Sequence, residues 1–447
     1  MLWEKRPEEY KKENFLYLKN FYDWLEKYLS KAGVDGKIDG KIVNDLLYSG
    51  VFKKRGEELR KSAERLRKNK GNYFKNEKEF KRFIEIAHKH EEGLQRYIKA
   101  LELYRIREMA EKFEKKPWPW EEEKLVGISP QEFAAMIQEA GKPYEKEILS
   151  ILESNYTAVH TPEIDDQMGT GDIYLWLNPN LILSIDVMVT EDPKFVKNIV
   201  DERRLKYLGF KEDYTLNFED KMKRYLSHEN NEFMNDLKNI ANSKDEDPTI
   251  FIKSVLNFLG RINVEEFIEK RGIKELLEYL EKNGYKEISD LIKKKWFDGF
   301  ISILGNYQAS VNPTTFLMGN IDNKVYRVLT VFTEKEMEDL KTKPKDEQVK
   351  YLIEKIKNSI NDFKNFAKST YLYLLKNKEK VIDLVFSKDQ KEFNLSKDLE
   401  NFNIDDFIKE LNNKAKSEDR KEASKAQNIL NKINNIDKFW NQAILSL

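Results

Sequence analysis

The stretch that most constrains this chain is Gly171–Glu191, GDIYLWLNPNLILSIDVMVTE. Two runs rich in apolar, aromatic and β-branched residues flank LNPN, whose Asn and Pro favour turns, so the stretch predicts a β-hairpin. The second run, LILSIDVMV, is apolar at nearly every position, the pattern of a strand buried on both faces of a sheet. Asp186 interrupts that run, and a buried carboxylate is costly unless it is paired or bound to a metal. Asp172 opens the first strand and Asp186 lies late in the second. Hairpin pairing therefore brings two carboxylates to one edge of a sheet. Taken singly, each would more commonly serve a turn or a cap.

The residues before the hairpin supply a third acid. SPQEFAAMIQEA carries Ser129, Pro130 and Glu132 in the order of a capping box with proline at the first helical position. Gly141 is expected to end that helix, and KPYEKEILSILESN to open another. Its residues Tyr144, Ile148 and Ile151 fall on one apolar stripe, with Glu145 flanking it. YTAVHTPEID then reads as extended chain. His160 and the acids of Glu163 to Asp166 precede the hairpin; they either add ligands or form an ordinary polar loop. Glu145, Asp172 and Asp186 converging from a helix and two strands suit Mg²⁺, a hard cation that takes oxygen ligands and keeps several waters.

This order of parts resembles the PD-(D/E)xK nuclease superfamily, the restriction-endonuclease-like fold. The residues that carry the resemblance are YEKEILSIL, the GD at a strand start, and SIDVMVTED after a turn, over about residues 129–210. The family pattern has an acid on the first helix, an acid at the start of the second strand, and acid-x-lysine on the third. The resemblance implies that Glu145 is the helix acid and that Asp172 and Asp186 are the strand acids, all three catalytic and holding Mg²⁺. The lysine position is Met188, where the pattern is broken. Three readings stand side by side: a lysine replaced to trap a substrate complex, a lysine supplied from elsewhere by Lys194 or Lys197, or a naturally inactive DNA-binding relative. The lysine matters because an ammonium there activates the attacking water and stabilises negative charge in the transition state.

Contact with a polyanion must come from local charge, because Lys+Arg 79 and Asp+Glu 79 balance over the 447 residues. Residues Lys53 to Lys75 hold ten basic side chains, Lys53, Lys54, Arg55, Arg60 and Arg67 among them, against three glutamates. Tyr73 and Phe74 are interleaved for stacking on bases; the bland alternative is a solvated helix face. Arg203 and Arg204, and Lys293 to Lys295 beside Trp296, are smaller clusters. NYQASVNPTTF, from Asn306 to Phe316, offers amides and hydroxyls that can read base edges or form a plain loop.

Other classes are excluded. With no cysteine, thiol catalysis, zinc fingers and iron–sulfur clusters are out. No GxxxxGK[ST] phosphate loop and no nucleophile elbow occur. No apolar run approaches the length of a membrane span, so a soluble, cytoplasmic protein without a membrane partner is expected.

The pattern along the chain predicts an α+β protein, a mixed central sheet flanked by helical regions. Residues 1–120 read as a helical domain ending at Pro117 and Pro119, 121–335 as the nuclease core with a helical insertion at about 211–298, and 336–447 as a helical domain. Strands are expected to return at GFISILGN and at TTFLMGNIDNKVYRVLTVF, with a turn at Asp322-Asn323. The expected function is Mg²⁺-dependent cleavage of double-stranded DNA by a homodimer, since one such core cuts one strand. The alternatives are a non-catalytic nucleic-acid-binding relative and a helical interaction protein.

Overall fold

The structure is a computed structural model that describes residues 76–92, 130–163, 166, 171–179, 181–191, 194, 196–208, 219–227, 229–305, 325–386 and 395–447. The α+β expectation holds: among the described residues, helices accompany one four-stranded mixed sheet. The chain divides into two units. The first gathers residues up to Lys197, then Val311–Asn361 and Gln442–Leu447; the second gathers Asn198–Ser310 and Asp362–Asn441.

The first unit holds the sheet. Helices α1 (Glu77–Glu92) and α2 (Pro130–Leu152) precede β1 (Thr157–His160), β2 (Ile173–Asn178) and β3 (Leu181–Thr190). These three strands form an antiparallel meander, with His160 opposite Ile173 and Ile173 opposite Ile185. β4 (Val325–Thr333) pairs with β3 in parallel, so the sheet order is β1-β2-β3-β4. A parallel neighbour needs a crossover connection, and the expected helical insertion lies within that connection. Helix α1 buries Phe80 and Ile84 against Tyr174 and Ile182, with Val159 and Trp176 at the rim. Helix α2 buries Tyr144, Ile148, Leu149, Ile151 and Leu152 and packs against β1 and β3. After β4, Thr333 and Glu336 form a capping box that starts α10 (Glu334–Lys341), and α11 (Lys345–Lys376) begins in this unit.

The second unit is helical among the described residues. It takes most of α3 (Lys197–Tyr207), then α4 (Glu219–Tyr225), α5 (Asn231–Ser243), α6 (Pro248–Ile262), α7 (Val264–Arg271), α8 (Ile273–Lys282) and α9 (Lys286–Gly305). It also takes the later part of α11, α12 (Lys378–Phe386), α13 (Leu395–Glu400), α14 (Ile404–Lys414) and most of α15 (Arg420–Ser446). Local caps mark the starts: the Asn230 side chain accepts from the N–H groups of Glu232 and Phe233, and Asp247 caps α6 ahead of Pro248. Phe363 packs edge-on against Tyr207 and Trp440 in its core.

Two expectations are corrected. The helix expected to end at Gly141 runs unbroken through Gly141 and Pro143 to Leu152. Proline removes one backbone bond and glycine adds flexibility, but the apolar stripe of Tyr144, Ile148 and Ile151 buried on the first unit's core outweighs both. The strand expected at GFISILGN is helical to Gly305, as the end of α9. Its apolar residues continue the helical spacing of buried Trp296, Phe297, Phe300 and Ile301, which a short apolar run by itself does not reveal. The Asp322-Asn323 turn lies outside the described residues, and Val325–Thr333 is a strand as expected. Among the described residues, no helix is long and apolar enough to cross a membrane.

Candidate metal centre

Gly171 determines where Asp172 sits. Its φ is +126°, a region side-chain-bearing residues rarely adopt, and a Cβ there would lie 2.7 Å from Ser184 Oγ and 3.0 Å from the Ile185 carbonyl oxygen. Glycine lets the chain close on β3 at this point. Asp172 is then held at three atoms: its N–H donates to the Ile185 carbonyl at 2.8 Å, its carbonyl accepts the Thr161 N–H at 3.0 Å, and its Oδ2 accepts the Val187 N–H at 2.6 Å. The carboxylate takes the acceptor role that a backbone carbonyl would fill if the β2–β3 ladder continued.

Asp186 stands beside that hydrogen bond on β3. The strand is buried from Leu181 to Ile185 and half-buried from Asp186 to Thr190, so it leaves the core at the acid. Side chains alternate along a strand, which places Asp186 and Met188 on one face, in register with Leu329 and Val331 of β4. Glu145 comes from α2, where its carboxylate leans back toward Gly141: a Cβ on that glycine would lie 3.2 Å from Glu145 Oε1. Asp166 follows β1, its N–H donated to the Pro162 carbonyl at 2.9 Å.

These acids share one electrostatic neighbourhood. Burial holds the Asp172 carboxyl well above the usual carboxylate range, and the like charges of Asp186, Glu145 and Asp166 push it further, opposed only in part by the Val187 N–H. The charges of Asp186, Glu145 and Asp166 thus all act on Asp172. His160 is half-buried and its ring bonds the Asp172 backbone. Burial lowers its pKa, the charges of Lys146 and His88 add to that, and the bond to Asp172 opposes them. Glu163 is exposed.

Carboxylate oxygens are the ligands a hard divalent cation prefers, and a cation would relieve the mutual repulsion of these acids. The acids are near enough to repel, yet among the described residues no group of three or more His, Asp or Glu side chains closes into a ready-made cage.

Met188 is half-buried on the face of Asp186 and brings no charge. Lys194 and Lys197 are exposed, Lys197 at the first position of α3. The charges acting most strongly on Asp172 are all negative. Arg204 lies 3.5 Å from Asp201 and 3.9 Å from Asp362, over the ring of Phe366. Arg203 is half-buried on the same helix. Lys293 pairs with Glu281 at 2.7 Å and Lys295 with Glu232 at 2.7 Å, so these two are committed to ion pairs within their own unit. Lys53, Lys54, Arg55, Arg60 and Arg67, and the segment Asn306 to Phe316, lie outside the described residues.

Sequence reasoning gave Gly171 no role. The GD pair itself was the signal, since glycine before a strand-opening acid marks a close backbone approach. Comparison with family models, with curated proteins and with solved structures finds no match.

Proposed function

We propose that this chain is a Mg²⁺-dependent endodeoxyribonuclease of restriction type, acting on double-stranded DNA as a cytoplasmic homodimer. The observation that supports this most is the placement of Asp172, held against β3 by Gly171 and the Val187 N–H, with the charges of Asp186, Glu145 and Asp166 acting on it. It is joined by order: a helix acid, an acid ahead of the second strand, and an acid on the third, as the PD-(D/E)xK resemblance requires. Glu145, Asp172 and Asp186 would supply the oxygen ligands. When bound, Mg²⁺ would polarise the scissile phosphodiester and lower the pKa of the attacking water. The Val187 N–H fixes one oxygen of Asp172 and leaves the other for a ligand. Gly171 keeps that carboxylate against β3, where Asp186 can share the load. Water adds to phosphorus and gives up a proton to solvent, the bond from phosphorus to one sugar oxygen breaks, and that oxygen takes a proton from solvent.

Met188 favours a second reading, a non-catalytic DNA-binding relative, because a thioether neither carries charge nor moves a proton. Incubating long mixed-sequence DNA with Mg²⁺ and either the chain or its Met188→Lys variant separates the two. Discrete fragments are expected from the lysine variant, and the same fragments at a lower rate from the chain itself. Tight binding without cleavage by either protein would favour the second reading, and neither binding nor cleavage would overturn both.

A further inference from the structure

The four strands carry one acid and one strongly basic residue. The acid is Asp186 of β3; the base is Arg327 of β4, with no other Asp, Glu, Lys or Arg within Thr157–His160, Ile173–Asn178, Leu181–Thr190 or Val325–Thr333. Arg327 is 8% exposed, and arginine is almost never buried that deeply without a task for its charge. β3 and β4 pair in parallel with Ser184 opposite Arg327 and Asp186 opposite Leu329. Directly opposed residues share a face, and so do residues two apart on one strand, so Arg327, Asp186 and Met188 all stand on one face. Strands about 4.8 Å apart and a two-residue offset of about 6.6 Å put the Cα atoms of Arg327 and Asp186 about 8 Å apart, a span an arginine side chain covers.

We infer that Arg327 is the positioning cation of the acidic site, supplying from β4 the fixed positive charge that the lysine pattern would place at Met188. The inference rests on the proposed nuclease reading and concerns the same site. Arg327 and residue 188 approach Asp186 from opposite ends: Arg327 from the core side along β4, and residue 188 from the open end of β3. A guanidinium cannot give up its proton in a protein, so Arg327 does not act as an acid or base. Its charge orients Asp186 and offsets part of the repulsion among the acids. Methionine at 188 is then tolerated because the face already holds a cation. The same residue explains how a strand as apolar as VYRVLTVF carries an arginine, the counterpart of the interruption by Asp186 in LILSIDVMV.

The test uses the full chain with Arg327→Met, Arg327→Lys, Met188→Lys and the double change Arg327→Met with Met188→Lys. Two readouts are taken: Mn²⁺ affinity by calorimetry, and Mg²⁺-dependent cleavage of plasmid DNA. Removing a unit charge beside the site is expected to tighten Mn²⁺ binding about three- to tenfold in Arg327→Met, and the double change is expected to return it toward the parent value. Cleavage is expected to fall about 100-fold in Arg327→Met, to stay within about tenfold in Arg327→Lys, and to recover in the double change. A merely structural arginine would show neither the metal effect nor rescue from position 188. Should Arg327→Met fail to fold in a thermal melt, Arg327→Gln takes its place with the same expectations. If no variant cleaves DNA while Mn²⁺ affinity shifts as stated, the inference stands and the nuclease reading falls. Unchanged Mn²⁺ affinity in Arg327→Met, or no Mn²⁺ binding by any variant, overturns the inference.

Discussion

Two acids of the first unit, Asp172 and Glu336, stand at strand ends and are treated in opposite ways. Glu336 follows β4 and is surrounded by donors: the Thr333 N–H at 2.7 Å, the Tyr351 hydroxyl at 2.8 Å and the Lys355 ammonium at 2.6 Å. Desolvation acts to raise its pKa, but Lys355, the Thr333 N–H and Tyr351 together hold it below the ordinary value. Asp172 precedes β2, has one backbone donor at its carboxylate, and faces three further acids. The first arrangement closes a capping box and joins α10 to α11. The second stores repulsion where a strand leaves the core. Mutual repulsion of this kind costs stability, which makes Asp172 a candidate for a functional role.

The largest expected effect is on chemistry. Asp172→Asn or Asp186→Asn, made in the Met188→Lys background, should lower Mg²⁺-dependent cleavage by about 1,000-fold or more, read as initial rates on plasmid DNA. Next is Glu336→Ala, which strips the capping box and leaves Lys355 and Tyr351 without their acceptor. It should cost about 2 kcal/mol in urea unfolding. Gly171→Ala should cost a similar amount, about 1–3 kcal/mol, since it forces a strained φ and a clash with Ser184. Equal stability of the Gly171→Ala variant would show that Asp172 is not held by that approach.

A smaller effect has the opposite sign. Asp172→Asn keeps an oxygen for the Val187 N–H and removes the carboxyl on which the other acids act, so in metal-free buffer at pH 7 it should raise stability slightly. The sign reverses between the two acids as pH changes. The folded pKa of Asp172 is raised, so its favourable contribution is complete below the unfolded value of about 3.9 and is lost as pH rises through the folded value. The gain from Asp172→Asn should therefore fade on acidification. The folded pKa of Glu336 is lowered, so its contribution is present above the unfolded value of about 4.3 and is lost as pH falls through the folded value. A Glu336→Gln penalty should shrink below pH 4, as read from urea midpoints of parent and variant across pH 3.5 to 8.

Much of this contrast was legible in the sequence on the Asp172 side and little of it on the Glu336 side. The hairpin was readable because a turn stands between two apolar runs, and Asp186 was readable as the one charge in its run. Asp166 carried a weak signal, one acid among several in a polar loop. Gly141 and Pro143 misled because local breakers yield when burial of Tyr144, Ile148 and Ile151 outweighs them. The end of α9 misled because apolar residues in a short window satisfy strand and helix alike. Arg327 offered the same signal as Asp186, a lone charge in an apolar strand, but its meaning depends on the register with Ser184, and strand pairing of residues more than 140 positions apart is not written locally. Thr333 and Glu336 spell a capping box; that Tyr351 and Lys355 complete it is tertiary.

The most direct single measurement is a calorimetric titration of the full chain with Mn²⁺, in parallel with Asp186→Asn, both checked for folding by thermal melting. Saturable binding by the parent, weakened at least tenfold in the variant, is the result expected of a carboxylate metal centre at the end of β3. An identical isotherm for the two proteins, or no binding by the parent, would contradict the assignment of Glu145, Asp172 and Asp186 to a metal.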